Sequence, residues 1–157
     1  MSNVPYASAL GGRDAQVVIG ETAARLNRIY GALTTEQIEA RPAPGKWNLR
    51  EVMAHLADCE VVWAWRMRYA LEMERAAIQP FEQDAWAQMY AHYSVEEARA
   101  AFTALRQWNV AFVAGLSDAQ RKKVYVHPER GEETLWTIVE IMAGHDLHHL
   151  ALLEKVV

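Results

Sequence analysis

The sequence predicts an all-α fold, a four-helix bundle with one long crossover connection, in a single domain over residues 1–157. Three observations carry that expectation. Apolar residues recur at a period near 3.6 in four long segments, the mark of helices that bury one stripe. Two of those segments open with a capping box, Asn48 with Glu51 and Ser94 with Glu97. Proline and glycine gather between the segments, as in "RPAPGKW", rather than within them.

The first segment runs from Asp14 to Leu33, with Val18, Ala23, Leu26, Ile29, Tyr30 and Leu33 near one face. Thr34 and Thr35 interrupt it, "TEQIEA" can add a short turn of helix, and "RPAPGKW" breaks regular structure. The second segment is capped by Asn48 and is expected to end before Pro80. Its stripe is Leu49, Val52, Met53, Leu56, Trp63, Met67, Ala70 and Leu71. Residues 76–93 mix aromatic and polar groups without a period, and a connection that long is often functional or partly helical.

The third segment starts at Ser94 and places Ala98, Ala101, Phe102, Leu105, Trp108, Phe112 and Val113 on its stripe. "KKVYVHPERGEE" then reads as a loop holding a short extended piece. The fourth segment starts after Thr134 and runs nearly to the end. Its stripe is Leu135, Ile138, Val139 and Met142, then His145 and His149, then Leu152, Leu153 and Val156.

Composition narrows the function classes. The 157 residues are 52% apolar and 10% aromatic, enough for one real core. The formal net charge is −4, with no basic face or run, which argues against nucleic acid and anionic membranes as partners. The single cysteine, Cys59, excludes an intramolecular disulfide. The opening "MSNVPYASALGG" has no basic region followed by an apolar run, and no apolar stretch reaches the roughly 18 residues of a membrane span. A cytoplasmic protein is the expectation.

The chemistry sits in "IMAGHDLHHLALLE". Residues four apart on a helix are neighbours, so His145 and His149 can converge on one ion. Both occupy stripe positions, where an unpaired imidazole is costly to bury. A catalytic metal takes about three protein ligands and keeps an open position. His55, in "MAHLADCE" beside the second stripe, is the best third ligand, since bundles build metal sites from facing helices. Hydrogen-bonded core histidines are the alternative, and the residues alone leave both readings open.

The remaining candidates are subsidiary. Asp58 can orient an imidazole or stay exposed, and His148 reads as an outer group or a surface residue. Cys59 can approach a metal, but a small buried hydrophobe is the simpler reading. "HDLHH" also matches H-D-x-x-H, close to the zinc-protease motif, but Asp is shorter than the usual Glu and no downstream third ligand follows. Asp146 is read instead as a helix-surface charge or a partner for a neighbouring group. His92 and His127 lie in connections with no visible partner. The six tryptophans are core by default; Trp47 and Trp86, off the stripes, are candidates to line a pocket above the metal.

"GKWNLREVMAHLADCE", "PFEQDAW", "EEARAAFTALR" and "TLWTIVEIMAGHDLHHLALLE", in that order, resemble the DinB/YfiT-like superfamily from about residue 13 onward. The resemblance implies a bundle in up-down-down-up order, often a homodimer. It implies one divalent metal, zinc or nickel, on His55, His145 and His149. It also implies a metal-dependent enzyme acting on a small-molecule substrate. Low-molecular-weight-thiol S-transfer to an electrophile is the preferred reaction, with bacillithiol or mycothiol as the kind of thiol cofactor. A metal-dependent hydrolase is the alternative, and a non-catalytic metal-binding stress or interaction module is a third.

Overall fold

Asp14, Asn48, Ser94 and Thr134 each turn an extended residue into a helix start by accepting backbone N–H groups that the first helical turn leaves unpaired. The computed structural model describes residues 4–156. The helices are α1 (Ala7–Leu10), α2 (Ala15–Ala32), α3 (Thr35–Glu39), α4 (Leu49–Glu72), α5 (Gln83–Ala87), α6 (Val95–Ala114), α7 (Asp118–Arg121) and α8 (Leu135–Leu153). The strands are β1 (Ala76–Ala77), β2 (Val124–His127) and β3 (Gly131–Thr134), and a short 3-10 turn covers Tyr90–His92.

The long helices α2, α4, α6 and α8 form a four-helix bundle, and side-chain bonds give their directions. Thr22 meets Asp146 and Arg25 meets Glu154, so α2 and α8 are parallel. Arg106 reaches the Ile19 carbonyl while Arg99 reaches Asn27, so α2 and α6 are antiparallel. Glu60 meets Arg106 while Arg68 meets Asn109, so α4 and α6 are parallel. The order is up-down-down-up. Residues 73–94 are the crossover that the parallel pair α4 and α6 requires. Within it, β1 pairs parallel with β2, and β2 pairs antiparallel with β3, giving a small sheet in the order β1-β2-β3. That pairing ends α4 at Glu72, well before Pro80, with Arg75 turning at φ 54°.

The core has two apolar halves. One gathers Ile19, Trp63, Met67, Leu135, Ile138 and Met142; the other gathers Leu26, Tyr30, Met53, Leu56, Phe102 and Leu150. Between them lies a polar layer drawing one residue from each long helix: Thr22, Glu60, Arg106 and Asp146. Arg106 donates from Nη1 to Asp146 Oδ2 at 2.5 Å, and from Nη2 to Asp146 Oδ1 at 2.9 Å and Glu60 Oε1 at 2.6 Å. Asn109 donates to Glu60 Oε2 at 3.0 Å, and Thr22 donates to Asp146 Oδ2 at 2.7 Å. Burial alone would depress the guanidinium pKa; the two carboxylates override it and push the value above the ordinary one.

This layer decides one expectation and corrects another. Of the two readings of Asp146 the partner for a neighbouring group holds: it is buried against Arg106 and is no surface charge. The buried stripe of α6 is Ala98, Phe102, Arg106, Asn109 and Val113, one position round from the expected one. Ala101 is exposed, Leu105 is half-buried and Trp108 is 67% exposed under the Arg68 guanidinium. Trp65 is also exposed, stacked on Tyr69, so not every tryptophan is core. Among the described residues no helix is long and apolar enough to cross a membrane.

Candidate metal centre

α4 and α8 run antiparallel past each other and bring three imidazoles together. His145 Nε2 lies 3.1 Å from His55 Nε2 and 3.2 Å from His149 Nε2. A ring nitrogen offers one hydrogen or one lone pair in the ring plane, so His145 Nε2 can satisfy only one of these contacts as a hydrogen bond. Hydrogen bonding therefore does not account for the arrangement. Nitrogens each about 2.0–2.1 Å from a common ion stand about 2.9–3.4 Å apart at coordination angles between about 90° and 109°. Both observed distances fall within that span, so His55 and His149 each stand from His145 as two ligands of one ion would.

The electrostatics agree. His55 and His145 are buried, and His149 is half-buried. Desolvation pulls the pKa of His55 down to about 4 and that of His149 to about 3, and holds His145 well below the ordinary range. All three are neutral at pH 7, which is the form that binds metal. Cys59, one turn beyond His55, places Sγ 3.6 Å from His55 Nε2. His55, Cys59 and His145 each place a ligand atom within 4.8 Å of the others and could hold a metal ion. Cys59 is thus a small buried side chain, as expected, and also a candidate ligand beside His55 and His145. Burial first, then Glu60 and Asp146, push its thiol well above the usual range. At His145 the Arg106 guanidinium acts with burial and the neighbouring histidines to disfavour the protonated ring.

Aromatic rings wall the centre. Trp47 lies 5.0 Å from His55 between ring centroids, Phe81 stacks on His55 at 6.4 Å, and Trp63 stands edge-on to His145 at 6.3 Å. Tyr6 stands edge-on to His145 at 5.3 Å. His149 also borders a cleft of about 750 Å³ with apolar walls from Trp47, Leu49, Val52, Leu152 and Leu153. That volume lies within the roughly 300–1,000 Å³ of small-molecule sites.

The other expected residues fall at different distances from the chemistry. Trp47 lines the cleft, as anticipated, while Trp86 is exposed and packs on Phe81 one layer out. His148 is exposed, flanking His149 and Tyr6. Asp58 makes no hydrogen bond to an imidazole among the described residues. It lies beside the buried Tyr90 hydroxyl, outside hydrogen-bond geometry, and burial raises its carboxyl pKa. His92 ends the 3-10 turn and is exposed. His127, expected to lack a partner, is buried in the β2–β3 hairpin with Nε2 3.0 Å from Arg130 Nη1. Tyr6 and the Arg106 layer escape sequence reading. Tyr6 lies outside every periodic segment, and the residues of the layer resemble ordinary surface charge until their partners converge.

The family model of the DinB superfamily matches residues 19–153. The chain belongs to the DinB superfamily. Among curated DinB relatives, a protein of Bacillus subtilis named "Putative metal-dependent hydrolase YfiT" is 28% identical over 137 residues, covering 85% of this chain and 77% of that protein. An Oceanobacillus iheyensis protein, likewise named "Putative metal-dependent hydrolase", is 29% identical over 120 residues, covering 76% of this chain and 70% of its own. The solved structure of the Bacillus subtilis protein matches with a TM-score of 0.82 at 26% identity, over 90% of this chain and 83% of that one. It is described as "a probable metal-dependent hydrolase with an unusual four-helix bundle topology". The four-helix bundle of that description is also the architecture of this chain.

Proposed function

We propose that this DinB-superfamily protein is a metal-dependent hydrolase of small molecules, with one divalent ion on His55, His145 and His149. The observation that carries the reading is the pair of short Nε2 contacts centred on His145, which fit a shared ion and do not fit a hydrogen-bond network. The names of the relatives support the same reaction class. Three imidazoles suit zinc or nickel.

Bound with an open position, such an ion lowers the pKa of water or a thiol and so supplies a nucleophile at neutral pH. The chain's own residues do the rest. The neutral imidazoles add no positive charge to the site. Trp47 and Phe81 fix the ring of His55 from two sides. The apolar cleft beside His149 takes the body of the substrate and keeps bulk water away from the reacting group.

The test is metal analysis of untagged protein followed by an activity panel. About one ion per chain, together with hydrolysis of activated esters or amides that is lost on chelation, supports the proposal. Turnover of electrophiles only with an added low-molecular-weight thiol assigns S-transfer instead. Stoichiometric metal with no turnover in either panel assigns a non-catalytic metal-binding module.

A further inference from the structure

We propose that the Tyr6 phenol is a hydrogen-bond donor to whatever ligand occupies the position left open by His55, His145 and His149. The inference rests on the metal-centre reading and adds a residue that contacts substrate. Three separate features place Tyr6 where it is. Its backbone sits in the left-handed region at φ 59°, a conformation that non-glycine residues rarely adopt. Its carbonyl and Cβ press on α8 at Gly144, where an added Cβ would lie 2.6 Å from the Tyr6 carbonyl oxygen and 2.8 Å from the Tyr6 Cβ. Only glycine admits that approach, and Gly144 immediately precedes His145. The ring then lies edge-on to His145 at 5.3 Å and tilted against His148 at 5.4 Å.

What this placement achieves is visible at the hydroxyl. Tyr30 donates to the Leu49 carbonyl and Tyr125 donates to Glu133, the usual fate of a phenol in a packed setting. The Tyr6 hydroxyl makes no hydrogen bond among the described residues. Burial first, and then the neighbouring Cys59, raise the pKa of the phenol above its ordinary value. The residue is 39% exposed, so a small molecule can reach it. A phenol is protonated at neutral pH, and therefore a donor.

The test separates the hydroxyl from the ring. Wild type, Y6F and G144A are loaded with cobalt(II), and azide is titrated against the visible d–d spectrum. Y6F keeps the ring and removes the donor; G144A keeps the phenol and displaces it. The expected result is full cobalt content in all three, with azide bound about tenfold more weakly in both variants, the loss of one hydrogen bond to a charged group. Equal azide affinity in wild type and Y6F overturns the proposal and leaves the metal centre standing. Loss of cobalt from Y6F also overturns it, by making Tyr6 a structural support. A wild type that binds no cobalt overturns the metal reading and this proposal with it.

Discussion

Arg106 grips Asp146 with both terminal nitrogens, at 2.5 and 2.9 Å, and Asp146 directly follows His145 on α8. The pair therefore ties the helix that carries His145 and His149 to α6 through the centre of the bundle. It is almost wholly buried, each side chain at most 2% exposed. Replacing Arg106 by Met leaves the Asp146 and Glu60 carboxylates buried without a counter-charge, which costs about 3–5 kcal/mol. Urea unfolding of R106M should show a midpoint lowered accordingly; a loss under about 1 kcal/mol would mean the layer relaxes or hydrates.

Single substitutions separate the possible ligand sets. H55A, H145A and H149A should each lose most of the bound metal, and C59S should retain about one ion per chain by mass spectrometry. Retention in H149A together with loss in C59S would instead assign His55, Cys59 and His145, the set whose ligand atoms lie within 4.8 Å of one another.

Removing the metal should cost stability. Three neutral imidazoles converge with only part of their hydrogen-bonding capacity used, and the ion binds the folded chain alone. At a free concentration a thousand times Kd, zinc should stabilise the fold by about 4 kcal/mol. A thermal melt that is unchanged by chelator and then by added zinc would contradict the assignment.

Glu51 gives a pH dependence with a defined sign. Burial raises its pKa, but the Arg41 guanidinium, bonded at 2.6 and 2.8 Å, and the Asn48 N–H outweigh burial and hold it below the ordinary value. A lowered folded-state pKa contributes stability above the unfolded value of about 4.3 and loses it as pH falls through the folded value. E51Q should therefore be less stable than wild type at pH 7. The gap should close as the pH drops below about 4. A gap of constant size from pH 7 to pH 3 would show that the ion pair contributes nothing.

Much of the bundle was legible because its helices announce their starts. Asn48 with Glu51 and Ser94 with Glu97 put α4 and α6 at the expected residues, and the Tyr30 and Leu56 stripes face the core as expected. The convergence of His55 with His145 and His149 was legible because all three lie on or beside apolar stripes. The rotation of α6 was not. Arg106 and Asn109 hold stripe positions only because Glu60 and Asp146 meet them from other helices, and periodicity alone assigns such residues to water. Tyr6 was invisible for a related reason. Its position depends on a glycine distant in the chain, and a glycine inside a helix pattern reads as a small defect.

The polar layer also bears on how the chain reaches its fold. Apolar surfaces reward partial docking, since any two helices that meet bury some area. Thr22, Glu60, Arg106 and Asp146 do not, because a subset of them buries charge that its absent partners would neutralise. Intermediates with three helices closed and the fourth away are therefore penalised, and so are closures out of register by one turn. The bundle gains its low-energy state only when all four helices arrive at matching heights, which makes assembly of its middle an all-or-none event.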